Sequence, residues 1–236
     1  MNVKNLKLKN TEKDAIYLHL AFAALCAVVL LVPAGVSTGV RFLFLVIAYN
    51  AAVPLVGNAR GHGEWTRLWR FALALSVFQV FPDWFLSAQL GVLVFPEDGL
   101  FKIGTVSSYM AGLWTIPVFM IVFTGLRVKK RRGNRAAAIA VAAVSLAVFA
   151  LSELLMGRLG SWHAENVKVM LGPAALYILA PEIILGLSAY YVYRAVRKKP
   201  FWKTALSAFL VMLLYLGSAC WFYFIIEKLM AGRGPT

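Results

Sequence analysis

Apolar residues in this chain run in long blocks broken by short polar punctuation, and each block approaches the length a helix needs to cross a bilayer. Seven such blocks can be read, at 15–32, 40–56, 67–95, 107–128, 136–156, 172–194 and 204–230. A transmembrane helix takes roughly 20 apolar residues, at about 1.5 Å each, to span the hydrocarbon core. The pattern predicts an all-α, polytopic membrane bundle of seven transmembrane helices, forming a single domain over residues 1–236. The third block is long enough to be tilted, or broken near Pro82. The second is short, with Pro33, Gly35 and Gly39 before it and Gly57 and Gly61 after it. A long lead of mixed charge, from Lys4 to Asp14, precedes the first block, and no small-residue cleavage pattern follows Val32. The first block is therefore expected to stay as a helix that also targets the chain to the membrane.

Composition agrees: 61% of the residues are apolar and 14% charged, against about 25% charged in a soluble domain. Charge then adds direction. There are 24 Lys and Arg against 10 Asp and Glu, a formal charge of +14. A basic balance points to nucleic acid where it builds a soluble basic face; here the cations sit between apolar blocks, so no nucleic-acid partner is expected. The N-terminal arm holds Lys4, Lys7, Lys9 and Lys13. The second connection holds Arg60, with Arg67 and Arg70 opening the next block. The fourth holds Arg127, Lys129, Lys130, Arg131, Arg132 and Arg135, and the sixth Arg194, Arg197, Lys198, Lys199 and Lys203. The odd connections are poorer, with Arg41 at the edge of the first, Lys102 facing Glu97 and Asp98 in the third, and Arg158 and Lys168 in the fifth. Because cytoplasmic loops carry the excess of Lys and Arg, the arm and the even connections are expected inside, which places the N-terminus in and the C-terminus out. The KKRRGNR run at 129–135 serves as an orientation signal or as a contact for anionic lipid headgroups. Trp65, Trp69, Tyr190, Tyr191, Tyr193 and Trp202 gather at the cytoplasmic ends, as an interfacial belt would. A multi-pass protein of a bacterial or archaeal plasma membrane is the expectation, with membrane lipids as its surroundings and its oligomeric state left open.

Two residues sit where the bilayer makes charge costly. An ionisable side chain at the centre of a transmembrane helix costs about 2.5–3.5 kcal/mol on insertion scales and marks a functional candidate. Asp83 lies in Phe81-Pro82-Asp83-Trp84-Phe85 and Glu182 in Ala180-Pro181-Glu182-Ile183, each just after a proline. Counting helical rise, Asp83 falls roughly 18 Å and Glu182 roughly 15 Å below the outer surface, close to the midplane. Pro82 and Pro181 leave the carbonyls of Phe78 and Tyr177 without their helical donors, and freed backbone at that depth belongs inside protein or along a polar cavity. Either the two carboxyls face one cavity, or they tie helices together through hydrogen bonds. Asn50, Gln79, Tyr177 and Tyr215 are candidates to line the same space, as are Trp84, Tyr109, Trp114 and Trp221. Taken singly, each is also an ordinary interhelical contact. Glu153 and Glu227 close the outer ends of the fifth and seventh blocks, as catalytic or as interfacial groups; Glu153 is the better catalytic candidate.

Several chemistries find no support. His19, His62 and His163 fall at different depths, and Cys26 and Cys220 both lie inside apolar blocks, so no metal site, disulfide or cofactor is expected. No HExxH, GxSxG, Walker A or DxxxD pattern occurs. The last block holds Lys203 and Lys228 only at its ends, where a retinal linkage has no use for them.

What remains is carboxylic acid chemistry. A carboxyl buried in an apolar medium resists ionising and can act as a general acid towards an alkene or epoxide. Aromatic faces such as those of Trp84, Trp114 and Trp221 can then stabilise the carbocation. The run from Asp83 through Gly91 and Phe95-Pro96 to Trp114 and Ile116-Pro117 resembles the acid, Gly, Phe-Pro, then Trp-Pro layout of small seven-helix integral-membrane isoprenoid enzymes, the terpene cyclases and the carotenoid cyclases or hydratases. That resemblance implies cyclisation, isomerisation or hydration of a lipid-like small molecule without a metal. A small proton-linked transporter is the rival reading, since midplane acids on proline-broken helices also bind ions. A non-catalytic receptor or assembly factor is the third.

Overall fold

The computed structural model describes residues 9–33 and 35–230, so Lys4 and Lys7 of the N-terminal arm lie outside the described residues. Its long helices are α1 (Asn10–Leu31), α2 (Thr38–Ala59), α3 (Gly63–Trp84), α5 (Thr115–Met156), α6 (Leu176–Val196) and α7 (Phe201–Tyr223), and a single turn, α4 (Met110–Leu113), leads into α5. Among the described residues, six helical stretches are long and apolar enough to cross a membrane. Large apolar side chains such as Leu20, Ile47, Leu55, Ile139, Leu151 and Leu210 stand exposed around the outside, as hydrocarbon surroundings require. The fold is all-α, and the chain is an integral membrane protein.

The fourth stretch, Met110–Met156, has 47 residues. Drawn straight, it would run about 70 Å, more than twice the roughly 30 Å of hydrocarbon it would cross. It is not straight. Gly133, inside the KKRRGNR run, takes φ +83° and ψ −176°, a backbone open to glycine and closed to residues with a Cβ. The chain folds back on itself there. A methyl group at Gly125 would lie 2.5 Å from Val141 and 2.7 Å from the Tyr190 ring, although residues 125 and 141 would be about 24 Å apart in an unbroken helix. α5 is thus a helical hairpin with limbs 115–132 and 134–156, packed against α6.

One end of the bundle is tied by charge. Glu64 at the start of α3 holds Arg127 directly, with Arg197 at 3.6 Å and Lys130 at 3.9 Å. Glu12 of α1 holds Arg131 at the hairpin turn. Asp14 takes both Arg60 nitrogens, at 3.1 and 3.2 Å, and lies 2.7 Å from His62. Five links from these carboxylates to Lys or Arg, with His62 as a sixth partner, therefore join α1, the α2–α3 loop, α3, α5 and the end of α6. Trp65, Tyr190 and Tyr193 belong to the packed interior here and not to an interfacial belt: all three are fully buried. Trp65 meets Phe119 and Phe123 edge-on, with ring centres 5.9 and 6.1 Å away. Tyr191 and Trp202 do remain exposed.

The other end is roofed by loops. β1 (Leu93–Val94) pairs antiparallel with β4 (His163–Ala164), which stitches the α3–α4 loop to the α5–α6 loop. β2 (Lys102–Ile103) pairs with β3 (Val106–Ser107), and β5 (Met170–Leu171) with β6 (Ala174–Ala175). Beyond α7 the chain continues as wider π-helical turns, Phe224–Met230. Glu227 in those turns is buried, not interfacial, and accepts the backbone N–H groups of Lys168 at 2.7 Å and Val169 at 3.1 Å. Asn166 adds a bond to the Gly91 carbonyl at 3.0 Å.

Glycine at the α5–α6 crossing sets how closely the helices approach, so Gly125→Ala should lower unfolding stability by about 1–3 kcal/mol through overpacking. Gly217→Ala, with open space around it, should be neutral or stabilising by up to about 1 kcal/mol. Thermal or denaturant unfolding in one detergent compares the two.

Candidate functional site

Between the middle of the bundle and its roofed end lies a cavity of about 320 Å³. Every long helix contributes to its wall. Asp83 reaches it from α3, Glu153 from the second limb of α5, and Glu182 from α6. Loop residues Val92, Phe95, Trp162 and Ala164 close it from the roofed side. No Lys, Arg or His is among the described lining residues, and the remaining wall is almost entirely apolar.

Local backbone explains how the acids reach the cavity. Pro82 interrupts the α3 hydrogen-bond ladder, and the helix continues past Asp83 as π-helical turns, Phe85–Gln89, where Leu90 N–H bonds to the Phe85 carbonyl at 3.1 Å. Such wide turns recur where a helix must re-aim side chains at a functional site. Asp83 is 2% exposed, and its Oδ2 accepts the Trp114 indole N–H at 2.9 Å. Trp114 sits at the junction of α4 and α5. Its ring packs on Phe149, with centres 5.5 Å apart, and edge-on to Tyr215 at 5.9 Å. Glu153 is similarly held, its Oε1 accepting the Trp162 indole N–H at 3.0 Å. Glu182, one residue past Pro181 and 3% exposed, differs from both. Its Oε2 has no hydrogen-bond partner among the described residues.

Six residues expected from the sequence therefore share one chamber: Asp83, Glu153, Glu182, Trp114, Tyr177 and Tyr215. Five do not join them. Asn50 is a strut: its amide donates to the carbonyls of Val46 at 2.9 Å and Gly112 at 3.1 Å, and its oxygen accepts Trp69 Nε1–H at 3.0 Å. Tyr109 lies behind the wall, stacked on Phe42 and bonded to Ser161 Oγ at 2.7 Å. Gln79 is fully buried one turn before Asp83, but it does not line the cavity and finds no partner for either amide atom among the described residues. Trp84 follows Asp83 in sequence, so the helix turns it away, into an outer groove with Phe81, Ile103 and Gly104. Trp221 is 63% exposed on the outside of α7.

Trp162 was not legible as a site residue. It follows Glu153 by nine positions, in a loop, and meets it because Gly160, at φ +70°, turns the chain back over the helix end. Phe149 was equally hidden, one apolar residue in an apolar block. Among the described residues no group of three or more metal-ligating side chains forms.

Chemically, the arrangement offers two carboxyls each steadied by one indole N–H, a third with a free oxygen, and aromatic faces between them. A neutral or transiently cationic guest fits such a wall; an anionic headgroup would meet three carboxyls and no cation. Residues 80–226 match a family model described as a domain of unknown function, DUF6989. The matched stretch includes all three carboxyls together with Trp114, Trp162 and Tyr215. No curated protein and no solved structure matches the chain.

Two tryptophan substitutions separate the chamber wall from the outside. Trp114→Ala should cost about 3–5 kcal/mol of stability, as large-to-small core changes do. Trp221→Ala should stay within about 0.5 kcal/mol of the parent, as unfolding of both variants in the same detergent would show.

Proposed function

We infer the function of this chain, which belongs to the DUF6989 family, from its chamber: it is an intramembrane enzyme acting on an isoprenoid or other lipid-like substrate by proton-initiated cyclisation, isomerisation or hydration. The observation that carries this reading is the convergence of Asp83, Glu153 and Glu182 with Trp114, Tyr177 and Tyr215 on one otherwise apolar cavity of about 320 Å³. Ligand pockets run from about 300 to 1,000 Å³, so the chamber takes a compact reacting portion of a substrate.

Glu182, with an unpartnered oxygen, is the group best placed to give its proton to an alkene or epoxide. The cation so formed lies against the faces of Trp114, Phe149 and Tyr215, whose ring electrons favour positive charge. Asp83 then removes a proton from a neighbouring carbon, which closes an isomerisation or cyclisation, or takes the proton of a water that adds to the cation, which makes a hydration. One proton leaves Glu182 and one arrives at Asp83, so each turnover ends with exchange between the two carboxyls. Glu153 stands beside them as a third proton-holding group.

The packing favours an enzyme over a proton-linked transporter. Between the acids and the charge-tied end lie Leu68, Phe71, Leu75, Phe119, Leu185 and Tyr193, all fully buried, and the loops cover the opposite side. Among the described residues those features enclose the acids in an apolar surround, which supports chemistry on a lipid-like guest. In this reading the α5 hairpin makes two crossings, so the bundle crosses a bacterial or archaeal plasma membrane seven times. The charge-tied end is cytoplasmic, the N-terminus inside and the C-terminus outside, because the Lys- and Arg-rich connections gather there.

A carbocation mimic tests the chemistry before the substrate is known. Dimethyldodecylamine, below its micellar concentration, should raise the melting temperature of the parent protein, and Asp83→Asn with Glu182→Gln together should abolish that rise. Dodecyl phosphate should give no rise in either. Equal stabilisation by the phosphate, or a shift that persists in the double variant, would remove the basis for this function.

A further inference from the structure

The chamber wall is uneven. Asp83, Glu182 and Tyr215, on α3, α6 and α7, are each at most 3% exposed. The wall also includes Phe22, Cys26 and Leu30 of α1 and Ser152, Leu155 and Met156 of α5. Leu155 lines the cavity and is also 41% exposed. Cys26 likewise lines the cavity and is half-buried. These two residues see the chamber and the membrane at once.

α1 is the least buried of the six membrane-length stretches, and its fastenings are all on other sides. Near the charge-tied end it is held by Glu12 to Arg131, by Asp14 to Arg60 and His62, and by His19, whose Nε2 lies 3.0 Å from the Tyr49 hydroxyl. At its far end Arg41 of α2 donates to the Val29 and Val32 carbonyls. Among the described residues no hydrogen bond or ion pair joins α1 to the second limb of α5. The cleft between them is also without free polarity, because the one hydroxyl there, on Ser152, is bonded to the Val148 carbonyl at 3.0 Å. Around the cleft, Val28 and Leu31 on α1 and Leu151 and Leu154 on α5 stand exposed to the hydrocarbon.

We propose that the cleft between the far half of α1 and the second limb of α5 is the doorway by which substrate reaches the carboxyls directly from the bilayer. The substrate is a single-chain, uncharged lipid: its reacting end enters first, and its tail remains between Cys26 and Leu155 with the rest in the membrane. This rests on the reading of the chamber as a substrate site. Three features specify such a guest. The doorway offers no polar group to carry a charged headgroup through. The chamber beyond it holds carboxyls without cations, which repels phosphate. Its volume, at the low end for ligand sites, leaves the remainder of a long chain outside.

The test uses full-length protein in nanodiscs and a hexadecanol bearing a diazirine next to its hydroxyl end. Cys220→Ser leaves Cys26 as the single native thiol, and Leu155→Cys adds its partner across the cleft. The two are bridged with a disulfide-containing bismaleimide, the sample is irradiated, and adducts are mapped by mass spectrometry. In the unbridged protein, peptides holding Asp83 and Glu182 should be labelled. Bridging should cut that labelling at least tenfold, leave labelling of the exposed α7 face unchanged, and be undone by reductant. If bridged and unbridged proteins label equally at Asp83 and Glu182, the doorway is elsewhere and the chamber reading survives. If neither labels there, the chamber is no lipid site and both ideas fall. Should Leu155→Cys not fold, Met156→Cys, on the same wall, carries the bridge instead.

Discussion

Carboxyl groups cannot face lipid tails without a penalty of several kcal/mol, and this bundle is arranged around that fact. Three of them turn inward, and the helices that carry them must then pack face to face. Indole N–H groups do part of the work that water would do: Trp114 serves Asp83 and Trp162 serves Glu153. Both donors are also large apolar surfaces, so one residue type satisfies an acid and keeps the space around it dry. A hydroxyl or amide in the same place would bring acceptor lone pairs that needed a partner of their own.

The two ends of the bundle hold together by different means, and the difference decides where the molecule can yield. At one end, ion pairs reach across five segments and sit on a tightly packed aromatic core. At the other, short backbone pairings and two bonds to a single carboxylate hold loops over the chamber. Ion pairs near an interface are individually weak, but here they gather on three carboxylates of α1 and α3, beside buried Trp65 and Phe119. α1 is fastened mainly at the strong end. Its other half is largely exposed, and the proposed doorway beside α5 lies along that less fastened half.

Much of this was legible along the chain. Block length and turn residues placed most helix ends to within about five positions, although the third block, expected to reach 95, stops being helical at Gln89 and enters β1; the break between the fourth and fifth blocks coincides with the Gly133 reversal. Counting 1.5 Å per residue brought Asp83 and Glu182 to one level, and the structure places both in one chamber. The errors have a common cause. Depth can be read from position, but direction around a helix cannot be read from depth. Trp84 and Trp221 have suitable depths and face outward; Asn50 and Tyr109 face inward but are engaged in holding neighbours. Trp65, Tyr190 and Tyr193 occupy positions expected of a belt, and neighbouring helices cover them. Trp162 was out of reach for another reason, since a loop residue meets a helix only once the loop has folded.

Glu227 shows how the order of synthesis bears on the site. Its carboxylate grips Lys168 and Val169 from the turns that follow α7, and Tyr215 in α7 completes the chamber wall. While α7 is still in the ribosome or the insertion machinery, the chamber lacks a wall and its roof lacks an anchor. The acids of α3, α5 and α6 must therefore wait, incompletely enclosed, until α7 and the turns after it have been made. A closed chamber therefore belongs to the chain that has completed α7, and a truncation before α7 that spared every carboxyl of the chamber would still leave it open.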